Sequence, residues 1–254
     1  MGSGSWPAVE AAVVIANVSK RYDTGGGLLA LDRVSITARP GEFVCLVGAS
    51  GCGKSTLLNL VSGLDEASSG TIAVDGQAAL MFQESALFPW LSALDNVAMP
   101  LRLKGIGAAE REDRARQFLA AVHLADFADR RPHELSGGMR QRVALARTLA
   151  TESPVLLMDE PFGALDAMTR DLLHDELESI WRERRLTVLF VTHNVREAVR
   201  LGDRIVLLSS RPGRVVQEYA VDIERPRRFD DPAVSGLSAE ITTALREEVA
   251  RHGA

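Results

Sequence analysis

Residues 43–56 read FVCLVGASGCGKST. The apolar run Phe43 to Val47 has the length and composition of a buried β-strand. The residues from Gly48 to Ser55, GASGCGKS, satisfy the pattern G-x-x-x-x-G-K-[ST], and a helix-forming run follows. In that strand, loop and helix order, glycines permit backbone turns that aim successive N–H groups into one concavity, and a helix start near Gly53 adds its positive dipole end. Gly48, Ser50, Gly51, Cys52 and Gly53 are therefore the predicted polyphosphate cradle. Lys54 is placed to reach the β- and γ-phosphates, Ser55 to offer its hydroxyl to Mg²⁺, and Thr56 to support the α-phosphate side.

Outward from this motif, the segment before it alternates β-rich runs with turns, VVIANVSKRY and LLALDRVSITA, and reads as antiparallel sheet. After it, GTIAVDG and AALMFQ read as a strand pair. From Ala86 to Thr151 the pattern is helical. Then come SPVLLMDEP, a long helix from Ala164 on, LTVLFVTH, NVREAVRLG and DRIVLLSS. Alternating helices and wholly apolar strands predict a parallel sheet covered on both faces. The expected organisation is one domain over residues 10–254: a core over 10–85 and 152–215, a helical insertion over about 86–151, and a C-terminal arm and helix over 216–254. The helix is predicted within SAEITTALREEVARHG, and residues 1–9 read as a flexible lead.

Composition narrows the function classes. The 254 residues are 46% hydrophobic and 25% charged, with a formal net charge of -5. That suffices for a large core and gives no electrostatic reason to expect nucleic acid as a partner. The longest apolar runs have strand length, well short of the roughly 18 residues that span a bilayer, so a cytosolic chain is expected. Cys45 in an apolar run and Cys52 in the glycine loop do not make a disulfide framework.

Two further stretches carry chemistry. In VLLMDEP a buried-type strand ends in Asp159 and Glu160, at the strand end where open α/β sheets bind ligands. Asp159 is the predicted Mg²⁺ partner. Glu160 faces the other way, as alternate strand positions do, and is the candidate general base for an attacking water. In LSGGMRQR, Ser136 can cap the helix that follows, yet Gly137 and Gly138 each cost about 0.5–1 kcal/mol relative to alanine inside a helix. A bare, glycine-led helix start suits close approach to an anion.

GASGCGKST, MFQ ending at Gln83, LSGGMRQR, VLLMDEP, GALD ending at Asp166 and VTH ending at His193 occur in one order. In this the chain resembles the ATP-binding subunits of ATP-binding cassette (ABC) transporters over nearly its whole length. The resemblance implies a P-loop NTPase (RecA-like) α/β core with an N-terminal antiparallel β subdomain and an inserted α-helical subdomain. It implies ATP and Mg²⁺ as cofactors and a head-to-tail homodimer, in which Ser136, Gly137 and Gly138 of one copy cap the γ-phosphate held by the other. Position by position, Tyr22 matches the aromatic that stacks on adenine, and Gln83 the residue that contacts Mg²⁺ and water and senses a membrane partner. His193 matches the histidine that contacts the γ-phosphate. Asp166, a possible helix cap in its own right, matches a residue linking the two sites. His123, His133, His174 and His252 match no such motif and are expected at the surface.

ESALFPWLSALDNVAMPLRLKG and LSSRPGRVVQEYAVDIERPR are similar to the nitrate, sulfonate and taurine importer ATPases. That similarity implies transmembrane permease subunits, an external solute-binding protein, and a place on the inner face of the cell membrane. Phe88, Pro89, Trp90 and Leu91 are candidates for a groove that takes a permease helix. Energising lipid transport or efflux, and an ATP-dependent regulatory switch, are the alternatives.

Overall fold

A computed structural model of the chain describes residues 11–23, 27–163 and 165–252; the predicted flexible lead lies outside them. Two sheets organise it. Strands β1 (Val13–Tyr22) and β2 (Leu28–Ala38) pair antiparallel. β3 (Phe43–Val47), with every residue buried, enters the second sheet and leads through the glycine loop into helix α1 (Lys54–Val61). Strand β4 (Ser69–Val74) returns to the first sheet beside β1, whereas β5 (Ala78–Met81) joins the second.

Helices α2 (Ala93–Leu103), α3 (Ala108–Ala121) and α4 (Gly137–Leu149) pack on one another and are followed by β6 (Val155–Asp159). Then come α5 (Ala167–Arg184), β7 (Thr187–Val191), α6 (Val195–Leu201), β8 (Arg204–Leu208), β9 (Val215–Ala220) and α7 (Pro232–His252). The second sheet has the order β5-β6-β7-β3-β8-β9, parallel except for β9, which lies antiparallel on β8.

The pleat explains why its central strands are apolar throughout. Phe43, Cys45 and Val47 enter one hydrophobic cluster, together with Phe190 of β7, Ile205 of β8 and the inner faces of α2 to α7. Val44 and Leu46 enter the other, with α1 and the inner face of the antiparallel sheet. Successive side chains point to opposite faces, so a strand covered on both sides has no polar face. The expected fold class is borne out.

Three expectations change. GTIAVDG and AALMFQ are not a pair: Gly76, at φ 77°, turns the chain between them, and each strand finds its partner in a different sheet. The last helix starts at Pro232, earlier than predicted, because the Asp231 carboxylate accepts the Ala233 N–H and proline is preorganised for a first helical position. His174 is not a surface residue but is fully buried on α5, whereas His123 and His133 are exposed as expected. The side chain of His252 lies outside the described residues.

Candidate functional site

The parallel strands β3, β5, β6 and β7 end on the same edge of the sheet. Their C-terminal ends therefore deliver the glycine loop, Gln83, the Asp159–Glu160 pair and His193 to one side of the molecule, the side where such sheets bind ligands. A cleft of about 360 Å³ opens there, lined by Tyr22, Ser50, Gly51, Gly53, Lys54, Ser55, Thr56, Gln83, Asp159 and Glu160 among others.

Glycine is required on the loop for two separate reasons. Gly51 and Gly53 sit at φ 75° and 101°, in the left-handed region that L side chains rarely adopt. Gly48 has an ordinary backbone, but a Cβ there would meet Cys52 Sγ at 2.8 Å. Gly48 and Cys52 thus pack behind the cradle. Burial pushes the Cys52 thiol up, against the nearby Lys54 ammonium, so the thiol is neutral packing. Lys54 is 5% exposed and donates from Nζ to Gly48 O (2.9 Å) and Ala49 O (3.0 Å), which fixes a cation at the base of the loop.

The acids differ in environment. Burial pushes the Asp159 carboxyl above its ordinary value, while the Ser55 hydroxyl hydrogen-bonded to it pulls the other way. Glu160, at φ 44°, leaves the strand ladder after donating its N–H to Val191 O, and its Oε2 lies 2.9 Å from His193 Nδ1. The sequence reading did not include this Glu160–His193 pair. It joins the ends of adjacent strands β6 and β7.

His193 is held from behind by a buried network that sequence reasoning missed. The Thr192 hydroxyl accepts the Asn194 N–H and is hydrogen-bonded to Glu197, whose other oxygen lies 2.6 Å from His174 Nε2. Asn194 in turn caps α6. Both neighbours of His193 are thereby fixed, and the buried Glu197 is satisfied on both oxygens, as burial of a carboxylate demands. A lone histidine in an amphipathic helix gave no signal of this.

Tyr22 lines the cleft with its hydroxyl donating to Asp65 Oδ2 (3.1 Å) and Lys20 Nζ 4.9 Å from its ring centroid. Gln83 lines it as well, and its carbonyl accepts from Gln141 Nε2 (2.8 Å), while Arg147 donates to Ser85 O and Ala86 O. Gln141 and Arg147 both belong to α4, so the helix that begins at LSGG holds the segment after β5. These two were also missed; their signal is that they lie on either side of the buried apolar run Val143–Ala146 of α4.

Ser136, Gly137, Gly138 and Asp166 stand apart from the cleft lining. Ser136 caps α4, accepting the Met139 N–H at 3.2 Å. A Cβ on Gly137 would meet only Arg140 at 3.9 Å, whereas on Gly138 it would lie 2.6 Å from Thr169 Cγ2. Thr169 is itself fixed, donating its hydroxyl to Asp166 Oδ2 (2.7 Å) and its N–H to Asp166 Oδ1 (3.0 Å). Asp166 thus caps α5, and these bonds from Thr169 hold its carboxyl below the usual range. Both free cysteines are buried.

Residues 31–163 match the ABC transporter family. The chain is 44% identical over 238 residues to the nitrate import ATP-binding protein NrtD of Synechocystis sp., covering 87% of this chain and 90% of that protein. It is 45% identical over 238 residues to the taurine import ATP-binding protein TauB of Burkholderia pseudomallei, covering 89% of this chain and 92% of that protein. A dimeric ATP-binding cassette in a post-hydrolysis state, bound to ADP and Pi, superposes with TM-score 0.76 and 36% identity over 84% of this chain and 100% of that one. A glycine loop between a buried strand and a helix, carboxylates at the adjoining strand end and relatives matched over most of their length agree: the chain belongs to the ABC transporter family, among its ATP-binding proteins.

Proposed function

We propose that this chain binds and hydrolyses ATP in the cleft above β3, β6 and β7, and that a second copy completes the site. The observation that carries this is the 2.9 Å Glu160–His193 pair on the same sheet edge as the phosphate cradle. The glycine loop and Lys54 bind the polyphosphate. Glu160 orients a water in line with the γ-phosphate and takes its proton, and His193 holds Glu160 and the terminal phosphoryl group in register. Tyr22 supports the adenine, with Thr56 on the α-phosphate side.

Ser55, Asp159 and Gln83 offer oxygen donors, the set a hard divalent cation prefers. Burial foremost, with the neighbouring Glu160 charge as a smaller contribution, pushes the Asp159 carboxyl up, and a cation beside it would offset both. Among the described residues, no group of three or more His, Cys, Asp or Glu could hold a metal. The chain therefore supplies part of a coordination shell that phosphate and water oxygens would complete, which fits Mg²⁺. When bound, the ion neutralises charge on the β- and γ-phosphates.

Ser136 and Gly137 are exposed and Gly138 half-buried, so α4 starts at the surface away from its own cleft, an arrangement suited to capping nucleotide held by a second copy, with Asp166 beside it at the junction. Relatives carry import names, and the same use here is the coupling of ATP-driven closure of a homodimer to uptake of a small solute such as nitrate, a sulfonate or taurine. The partners are transmembrane permease subunits and, through them, an external solute-binding protein. The chain then works at the inner face of the membrane; no helix among the described residues is long and apolar enough to cross it. The exposed Phe82, next to Gln83, and the exposed Phe88 and Trp90 on the segment that follows form the apolar surface offered to the permease, with the Phe88 and Trp90 rings 5.6 Å apart.

The deciding experiment is Glu160→Gln. Hydrolysis should slow by roughly 10²–10⁴-fold, the usual contribution of a general base, with ATP binding retained and the dimer trapped closed. Turnover equal to the unaltered protein would remove Glu160 from the reaction.

A further inference from the structure

Lys54 and Arg211 are both cations lining the cleft, and no sequence motif pointed to the second. Arg211 sits on the turn between β8 and β9, and that turn is fastened to both walls of the site. Gly213 donates its N–H to Ala30 O (2.9 Å) and accepts the Asp32 N–H (3.0 Å), bridging it to β2. A Cβ on Gly213 would lie 2.2 Å from Cys52 O, so the turn's backbone packs directly on the phosphate loop. Arg214 is committed to Asp32 at 2.5 Å. Arg211 has no ion pair among the described residues. Its Nε donates to Gly51 O (3.2 Å), and its two terminal amino groups have no hydrogen-bond partner among them.

We infer that Arg211 is a second phosphate ligand, whose terminal amino groups bind phosphate oxygens of the nucleoside di- or triphosphate in this cleft. The inference rests on the reading of the cleft as the ATP site. A planar guanidinium anchored through Nε presents two parallel donors, the geometry that matches a phosphate edge and that a lysine ammonium lacks. The charge balance points the same way. ATP brings a multiple negative charge into a site that already holds the Asp159 and Glu160 carboxylates, and Arg211 adds a second side-chain cation to Lys54 and the divalent ion. Because the backbone of the turn is locked to the phosphate loop before nucleotide arrives, only the exposed Arg211 side chain remains to be ordered at binding.

The test measures calorimetric affinity for Mg-ADP and Mg-ATP, together with ATPase kinetics, for Arg211→Ala, Arg211→Gln and Arg211→Lys. Losing a charge-assisted contact should weaken both nucleotides about tenfold in the Ala and Gln forms and less in the Lys form. The loss should appear in KM rather than kcat, and nucleotide-free melting should stay unchanged. The Gln form serves should alanine loosen the turn. Unaltered affinity for ADP and ATP in both the Ala and Gln forms overturns the assignment. So does a fall in kcat with KM and ADP affinity intact, which would place Arg211 at the contact with the second copy. If the unaltered chain itself binds neither nucleotide, the ATP reading of the cleft fails rather than the role of Arg211.

Discussion

Replacing Gly138 with alanine tests whether the second glycine of LSGG exists for its own subunit. The new Cβ would stand 2.6 Å from Thr169 Cγ2, whereas carbon atoms pack at about 3.5–4.0 Å. Roughly 1 Å of overlap must be relieved. Either α4 and α5 separate, at the 1–3 kcal/mol typical of overpacking, or Thr169 rotates and gives up its hydroxyl bond to Asp166, worth about 0.5–1.5 kcal/mol. Better helix propensity offsets at most about 1 kcal/mol. The expected net destabilisation is about 1 kcal/mol, or about 2–4 °C in melting temperature for a chain of this size.

Thr169→Ser removes the clashing methyl while keeping the hydroxyl and the N–H that bind Asp166. Thermal melting of Gly138→Ala, Thr169→Ser and the double variant should therefore show a favourable coupling of about 1 kcal/mol, the double variant melting above Gly138→Ala alone. Gly137→Ala is the control: with only Arg140 at 3.9 Å it should leave melting unchanged or slightly raised, yet depress ATP turnover if that surface meets nucleotide on a second copy. A double variant that melts no higher than Gly138→Ala refutes the packing argument and returns both glycines to the phosphate.

Three other expectations follow from the site. Asp159→Asn should raise the stability of the nucleotide-free protein at neutral pH while weakening Mg-dependent nucleotide binding. The Asp159 carboxyl is raised in the fold, so the folded state holds its proton to higher pH than the unfolded chain, and stability falls as pH rises through that range. The advantage of Asn should accordingly vanish in acid melts, below both values; an advantage independent of pH would show that charge is not its cause. Trp90→Ala removes a side chain that is 68% exposed and should leave ATP hydrolysis by the isolated protein near normal while abolishing stimulation by the permease. Full stimulation in that variant would take Trp90 out of the docking surface. Glu197→Gln disturbs the carboxylate that holds Thr192 and His174, and should lower kcat through His193 more than it changes ATP affinity; a change confined to affinity would contradict that link.

The amino-acid order alone determined whatever depends on neighbours along the chain. A five-residue apolar strand, a glycine loop and a helix specify the cradle with Lys54 and Ser55, because the turn, its N–H groups and the helix dipole are all local. The caps Ser136 and Asp166 and the acids closing β6 were legible for the same reason. Tertiary structure decided the rest. It sent β4 and β5 to different sheets, buried His174 against Glu197, set Gln141 on the Gln83 carbonyl, brought Thr169 against Gly138 and swung the Arg211 turn onto the phosphate loop. Each of these contacts joins segments remote in sequence, and no periodicity or local propensity encodes it. It exists only once the sheet order and the packing of helices on its faces have fixed which distant side chains become neighbours.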